Sequence, residues 1–175
     1  RLAQLYLYYE VPYKAALILE KELEAERIKD EEKNWEQLAN AWLSAREWKK
    51  AIPPLTKAAE MSEDGGLFLR LGQTYMQEED WKNAEKNIRY AIKKGDLDNP
   101  GRAWLLLGIT RNKKGIKFEN SALFAFKRST GYDDMEADAR RWVKVIEAKQ
   151  ARREADRLAA EAAEAELADD TIYFN

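Results

Sequence analysis

The sequence repeats itself at an offset of 33 residues, and this internal repeat constrains the fold more than any other feature. The stretch LANAWLSAREWKKAIPPLTKAAE, residues 38–60, aligns without gaps with LGQTYMQEEDWKNAEKNIRYAIK, residues 71–93. A repeat of roughly 20 to 50 residues predicts stacked units, and small and aromatic residues at these offsets predict two antiparallel helices in each unit. The paired positions are Leu38 with Leu71, Ala39 with Gly72, Trp42 with Tyr75, Trp48 with Trp81, Ala51 with Ala84, Leu55 with Ile88, and Ala58 with Ala91.

These units resemble the tetratricopeptide repeat (TPR) family. The family pattern has Trp, Leu-Gly and Tyr on the first helix, then an aromatic residue and two alanines on the second. The second unit adds Trp35 to the paired positions, and the third adds Phe68. The fourth unit matches at Trp104, Leu107 and Gly108, and after a turn about two residues longer than the pattern allows it resumes at Ala122, Phe126 and Ser129. The first unit matches at Ala3, Tyr6, Tyr13 and Ala16.

The resemblance implies an all-α fold: a right-handed α-solenoid of about four TPR helix-turn-helix units with a long C-terminal capping helix. We predict units at residues 1–32, 33–64, 65–98 and 99–131. Residues 132–150 are predicted to form the capping helix, because Trp142, Val145 and Ile146 make an apolar stripe. Residues 151–175 are predicted to be a charged Ala/Glu/Arg helical extension and tail.

Composition excludes several classes of function. The 175 residues contain no histidine and no cysteine, which removes the commonest general base and the thiolate metal ligands. We therefore expect no catalytic residue, no metal site and no cofactor. The 30 basic and 32 acidic residues nearly cancel, so no basic surplus indicates nucleic acid. No apolar run approaches the roughly 20 residues that span a bilayer. The start at Arg1 suggests a fragment of a longer chain, in which a signal peptide or membrane anchor upstream would not be visible.

The aromatic and acidic residues have ordinary structural interpretations. The six tryptophans fall at helix-packing positions, so we predict packing rather than a ligand cage. The acidic pairs at 78–79 and 133–134 stand in turns or at a helix start, where carboxylates favour capping. The GDLDNPG segment, residues 95–101, lacks the ligand spacing of a calcium loop and is predicted to be a turn.

In TPR proteins the first helix of each unit lines the concave face, and the resemblance therefore implies a partner-binding groove. The best-known family clamp grips a C-terminal carboxylate with basic residues, but Glu36 and Leu69 occupy two of the positions where basic charge is needed. An internal peptide or a helix is therefore the expected ligand, with a merely solvated inner face as the alternative. The candidate groove residues are Gln4, Leu7, Tyr8, Lys33, Asn40, Leu43, Ser44, Leu69, Arg70, Gln73, Met76, Gln77, Arg102, Leu105, Ile109, Asn112 and Lys113.

A narrower resemblance rests on AIPPL, KKG and NPGRAWLLLG, within stretches that cover about half the chain. These segments are similar to TPR proteins that accompany TonB, ExbB and ExbD energy-transducing complexes in Gram-negative bacteria. This similarity implies a periplasmic scaffold that contacts the periplasmic region of TonB or ExbD during iron or nutrient uptake.

Other readings remain open at this stage. The repeats could form a structural or self-assembling module of envelope biogenesis, or an accessory domain of a larger protein. The tail after Gln150 is either a solvated extension or a helix that docks on a partner, and no basic residue follows Arg157 in it. Its later acidic residues are Glu161, Glu164, Glu166, Asp169 and Asp170.

Overall fold

A computed structural model describes residues 11–173, with side chains described as far as residue 166. Every regular element in this part of the chain is helical, so the predicted all-α class is confirmed. A short 3-10 turn, Ile116–Phe118, precedes the seventh α-helix. The eight helices are α1 (Pro12–Glu24), α2 (Glu32–Ser44), α3 (Trp48–Met61), α4 (Gly66–Gln77), α5 (Trp81–Lys94), α6 (Pro100–Lys113), α7 (Glu119–Ser129) and α8 (Glu136–Tyr173).

Each helix packs mainly on the next helix in the chain, which produces the predicted solenoid. The closest pairs are α2 with α3, α4 with α5, and α6 with α7. Glycine allows this approach inside two pairs. A Cβ atom added to Gly72 would lie 2.6 Å from the Cγ1 atom of Ile88, and one added to Gly108 would lie 2.6 Å from the Phe126 ring. The small-residue positions of the repeat pattern therefore mark the lines of contact between helices.

The turns inside units 2 and 3 share one hydrogen-bonded geometry. Arg46 and Glu79 adopt positive φ angles of 59° and 55°. In the first turn, the N–H of Glu47 donates to the carbonyl of Trp42, and the N–H of Arg46 donates to that of Leu43. This pattern satisfies the last carbonyls of a helix. Unit 4 departs from it because Gly115, at φ 105°, leads into the 3-10 turn, which accounts for the extra residues in the sequence.

Buried side chains form a series of clusters along the solenoid. Trp42 is 1% exposed and lies edge-on to Tyr13, with ring centroids 5.2 Å apart. Its indole N–H has no hydrogen-bond acceptor in the described structure. Leu55, Ile88 and Phe126 occupy the later clusters. Trp42 is thus a packing residue, as predicted from its place in the repeat.

Pro53 and Pro54 lie inside α3, which remains one continuous helix. Proline lacks the N–H that would bond the carbonyl four residues earlier, so the carbonyls of Lys49 and Lys50 lose their helical donors. Both lysines are exposed, and water can therefore satisfy these carbonyls.

The last helix, α8, packs on α7 and then extends beyond it. Its 38 residues correspond to about 57 Å of helix. Ile146 is fully buried, and Arg153 Nη1 donates to Glu119 Oε1 at 3.2 Å. One continuous helix runs through residue 150, where the sequence predicted the start of the extension. None of the described helices is both long enough and apolar enough to cross a membrane.

Candidate functional site: the groove along α2, α4 and α6

A cavity of about 460 Å³ lies where α2, α4 and α6 come together, and we call it the groove. Leu43 of α2 stands on one side and Arg102 of α6 on the other, with α4 between them. The first helices of three successive units thus share one surface, because the stacking places equivalent faces side by side. Its lining residues are Leu43, Trp48, Arg70, Gln73, Thr74, Met76, Gln77, Arg102 and Leu106.

The centre of the groove combines apolar side chains with unpaired amides. Leu43 and Met76 are half-buried and contribute the apolar surface. The side-chain amides of Gln73 and Gln77 make no hydrogen bond to the part of the chain that the structure describes. Each amide offers a carbonyl acceptor and an NH₂ donor. The groove therefore retains hydrogen-bonding capacity that the fold itself does not use.

Arg70 connects unit 2 to unit 3 across the groove. Its Nη1 atom donates to Glu36 Oε1 at 2.8 Å, and its Nη2 atom donates to the side-chain oxygen of Asn40. Arg70 and Asn40 were predicted groove residues, and the structure brings them together. Because Glu36 balances the charge of Arg70, this guanidinium is not free to grip a carboxylate.

One end of the groove is acidic. A second cavity of about 400 Å³ adjoins the first and shares Arg70, Gln73 and Arg102 with it. Asp64 accepts a hydrogen bond from the backbone N–H of Gly66 at 2.7 Å. Among the described residues no group of three carboxylates is arranged to hold a metal ion. The carboxylates that line this end are Glu32, Glu36, Asp64, Asp96 and Asp98.

The other predicted groove residues have different surroundings. Lys33 and Ser44 are exposed on α2, and Leu69 lines the acidic end. Leu105 and Ile109 pack beside Phe126 and Ile146, against α8 instead of in the groove cavity. Lys113 lies 5.9 Å from the Trp81 ring, and Asn112 is half-buried near the end of α6. Gln4, Leu7 and Tyr8 lie outside the described residues.

Sequence reasoning missed three residues that line the groove: Trp48, Thr74 and Leu106. Thr74 is buried, and its hydroxyl donates to the carbonyl of Arg70 at 2.9 Å. Leu106 is adjacent to Leu105 in sequence but faces the other neighbour of α6. Trp48 begins α3, so its repeat position indicated packing only. A three-dimensional repeat template would have been needed to find these residues.

Solved structures share this fold. A crystal structure of MamA is 16% identical, with a TM-score of 0.72 and an alignment that covers 94% of each chain. MamA from Desulfovibrio magneticus RS-1 is 17% identical, with a TM-score of 0.67, over 91% of this chain and 86% of that one. YrrB, described as a TPR protein with an unusual peptide-binding site, is 23% identical, with a TM-score of 0.66, over 85% and 74% of the two chains.

No family model and no curated protein matches the sequence at a significant level. Identities between 16% and 23% are evidence of common fold alone. The agreement extends over most of each chain. The chain therefore has the fold of solved TPR proteins.

Proposed function

We propose that this chain is a non-enzymatic protein-protein interaction scaffold that binds a segment of a partner protein in the groove. The unpaired amides of Gln73 and Gln77, set beside the apolar surface of Leu43 and Met76, carry this proposal. Such amides can pair with the backbone of an extended peptide, while the apolar side chains contact its side chains. YrrB, a TPR protein of the same fold with an unusual peptide-binding site, gives further support.

The charges of the groove define the chemistry of the partner segment. A C-terminal carboxylate is a poor ligand, since Arg70 is already paired with Glu36 and the five carboxylates of the adjoining end outnumber its two cations, Arg70 and Arg102. An internal segment with an apolar centre and basic residues at one end would match both the amides and the acidic end. Such a segment could be extended or helical.

A peptide selection tests this function. A phage-displayed library of random peptides is selected against the full chain, and the dissociation constants of the recovered peptides are measured by fluorescence anisotropy. The test variant is Gln73→Ala with Gln77→Ala, which removes both free amides and leaves the buried core residues unchanged. We expect binding to weaken by about tenfold, which is 1.4 kcal/mol.

A matched control separates the groove from the rest of the surface. Gln150 Nε2 donates to Asn120 Oδ1 at 3.0 Å on the α7 and α8 surface, away from the groove. The double change Gln150→Ala with Asn120→Ala removes two amides there and should leave binding unchanged. If every recovered peptide binds both double variants as tightly as it binds the unmodified chain, peptide binding in the groove is contradicted.

For the identity of the partner, we propose the periplasmic region of TonB or ExbD, with the chain in the periplasm of a Gram-negative bacterium. The support is the resemblance of AIPPL and NPGRAWLLLG to TPR proteins that accompany TonB, ExbB and ExbD, which implies a role in iron or nutrient uptake. A pull-down with purified periplasmic domains tests it. The proposal is supported if the unmodified chain retains either domain and the Gln73 and Gln77 double variant does not. It is ruled out if the unmodified chain retains neither domain.

A further inference from the structure

A second cavity, on the opposite side of α6 from the groove, is not explained by the proposed function. Its volume is about 820 Å³, and it lies between α5, α6 and α7. We call it the basic cleft. Aromatic rings form part of its wall: Trp104 meets Phe124 at a centroid distance of 6.1 Å and an angle of 78°. Phe124 is 57% exposed, and Tyr90 on α5 is 49% exposed.

Positive charge dominates the basic cleft. Four cations follow one another along α5 at spacings of four, three and four residues, which place them on one face of the helix. They are exposed, and none of them forms an ion pair with the described part of the chain. The stripe extends about 16 Å along the helix axis. Its members are Lys82, Lys86, Arg89 and Lys93.

Among the described residues that line the basic cleft, the single carboxylate already has partners. Glu85 accepts from Arg111 Nε at 2.9 Å and from Lys114 Nζ at 2.5 Å. Burial raises the pKa of Glu85, but the hydrogen bonds from Lys114 and Arg111 outweigh this effect and lower it below its ordinary value. Glu85 therefore stays ionised at neutral pH and offsets the charges of Arg111 and Lys114. It does not neutralise the four cations of the α5 stripe.

The distal part of α8 has the complementary character. From residue 154 to residue 166 every described side chain is exposed, and the ion pairs of Arg157 there stay within the helix, with Glu154 and Glu161. No lysine or arginine follows Arg157, whereas five acidic residues do. We call residues 158–173 the acidic tail. None of the described residues that line the basic cleft belongs to α8.

We propose that the acidic tail of one copy of this chain docks in the basic cleft of a second copy. Charge complementarity is the main reason: one molecule carries a cationic stripe with no ion pair in the described structure, and a helix end with exposed carboxylates and no basic residue after Arg157. The described side chains of the tail are exposed in the continuous helix α8 and do not line the cleft of the same copy, so we assign the pairing to different copies. A head-to-tail contact of this kind uses two different surfaces and can continue into a ring or a filament.

Charge-reversal variants test the docking. The cleft variant carries Lys86→Glu and Arg89→Glu, and the tail variant carries Glu164→Lys and Glu166→Lys; all four positions are exposed and form no ion pair in the described structure, so we expect the fold to be retained. A control variant, Lys21→Glu with Lys29→Glu, changes the net charge by the same amount as the cleft variant, at exposed positions before α2. Sedimentation velocity is run over a range of concentrations at low and high salt.

The unmodified chain and the control variant should associate at low salt and dissociate as salt screens the charges. Each reversal should weaken association by at least about tenfold, because it removes most of the complementary charge on one of the two surfaces. An equimolar mixture of the cleft and tail variants should form a heterodimer that grows no further, since each still offers one intact surface. Circular dichroism confirms that both variants are folded.

Three outcomes would overturn the proposal. The unmodified chain could be monomeric at every concentration and salt, the cleft variant could associate as well as the unmodified chain, or the mixture could contain no heterodimer. A monomeric chain whose basic cleft binds a synthetic acidic peptide also overturns it, and would assign the cleft to an acidic segment of another protein. These readouts do not depend on the groove, so the proposed function is judged separately.

Discussion

The rings of Phe126 and Trp142 lie parallel, at an interplanar angle of 2°, with their centroids 5.3 Å apart. Phe126 belongs to the last repeat and is fully buried, whereas Trp142 belongs to α8. This stacked pair, together with Ile146, closes the apolar face that the last repeat would otherwise expose. Terminal repeats generally need such a cover, since no further unit packs on them.

Loss of this contact should destabilise the C-terminal end. We expect Trp142→Ala to lower the free energy of unfolding by about 2 to 3 kcal/mol, less than for a fully buried tryptophan. The control is Val145→Ala on the same helix, where the side chain is 44% exposed and a change within about 0.5 kcal/mol is expected. Urea unfolding followed by circular dichroism measures both, and equal effects would contradict the capping role of Trp142.

Gly72 should not tolerate even a methyl group. An added Cβ would lie 2.6 Å from the Ile88 side chain and 3.2 Å from the Ile88 backbone nitrogen. Alanine gains roughly 1 kcal/mol of helix propensity over glycine, but overpacking at so short a contact costs about 2 to 3 kcal/mol, the upper part of its usual range. We expect Gly72→Ala to be destabilising by about 1 to 2 kcal/mol in thermal or urea unfolding.

Gly131 provides the comparison for Gly72. Its added Cβ would meet only the Arg128 carbonyl, at an ordinary 3.5 Å, and the residue is exposed. Gly131→Ala should therefore leave stability within about 0.5 kcal/mol. A Gly72→Ala variant as stable as Gly131→Ala would show that the α4 and α5 pair is less tightly packed than described.

Glu85 should make part of the stability dependent on pH. Its pKa is lowered in the folded protein, so its contribution is fully present above the ordinary value of 4.5 and is lost as the pH falls through the folded value. The side chain is 14% exposed. Glu85→Gln should cost about 2 kcal/mol at neutral pH, with a smaller difference from the unmodified chain in acid.

Urea unfolding at neutral pH and at about pH 3, below the unfolded carboxylate pKa, checks this prediction. Glu63→Gln is the control, because Glu63 is exposed and has no ion-pair partner in the described structure. A difference between Glu85→Gln and the unmodified chain that is the same at both pH values would contradict the role of Glu85 ionisation.

Asp80 should act as the N-cap of α5. Its Oδ1 atom accepts from the backbone N–H of Asn83 at 3.0 Å, and the same interaction is the largest cause of its lowered pKa. Asp80→Ala should cost about 1 kcal/mol, whereas Asp80→Asn should retain most of the stability because asparagine caps equally well. Thermal melts at neutral pH distinguish the two, and equal losses would show that the cap hydrogen bond is not the cause.

The 33-residue sequence repeat predicted the helices and their pairing, because close packing between helices requires small residues at fixed positions of each unit. Ala39 and Ala84 are fully buried, and Gly72 and Gly108 stand where helices touch. A size requirement repeats with the fold, so it is visible as a sequence period. The all-α solenoid follows from it without any three-dimensional information.

The residues that line the groove were harder to predict from the sequence, because their positions depend on contacts between units. The TPR resemblance predicted that Arg70, Gln73 and Met76 line the groove, and all three line the cavity. It also predicted Leu105 there, but Leu105 packs toward α8 and its neighbour Leu106 lines the groove instead. The pairing of Arg70 with Glu36 depends on side-chain reach across two units. The basic cleft had a sequence signal in the spacing of its α5 cations, which a charge-period search would have found.

Consecutive packing of helices has a consequence during synthesis. Each helix needs little more than the next helix of the chain to bury its apolar face, so no long loop must close before a core forms. A chain leaving the ribosome can therefore complete unit 2 while unit 4 is still untranslated. Only α7 must wait, with Phe126 uncovered, until translation reaches Trp142 and supplies its ring.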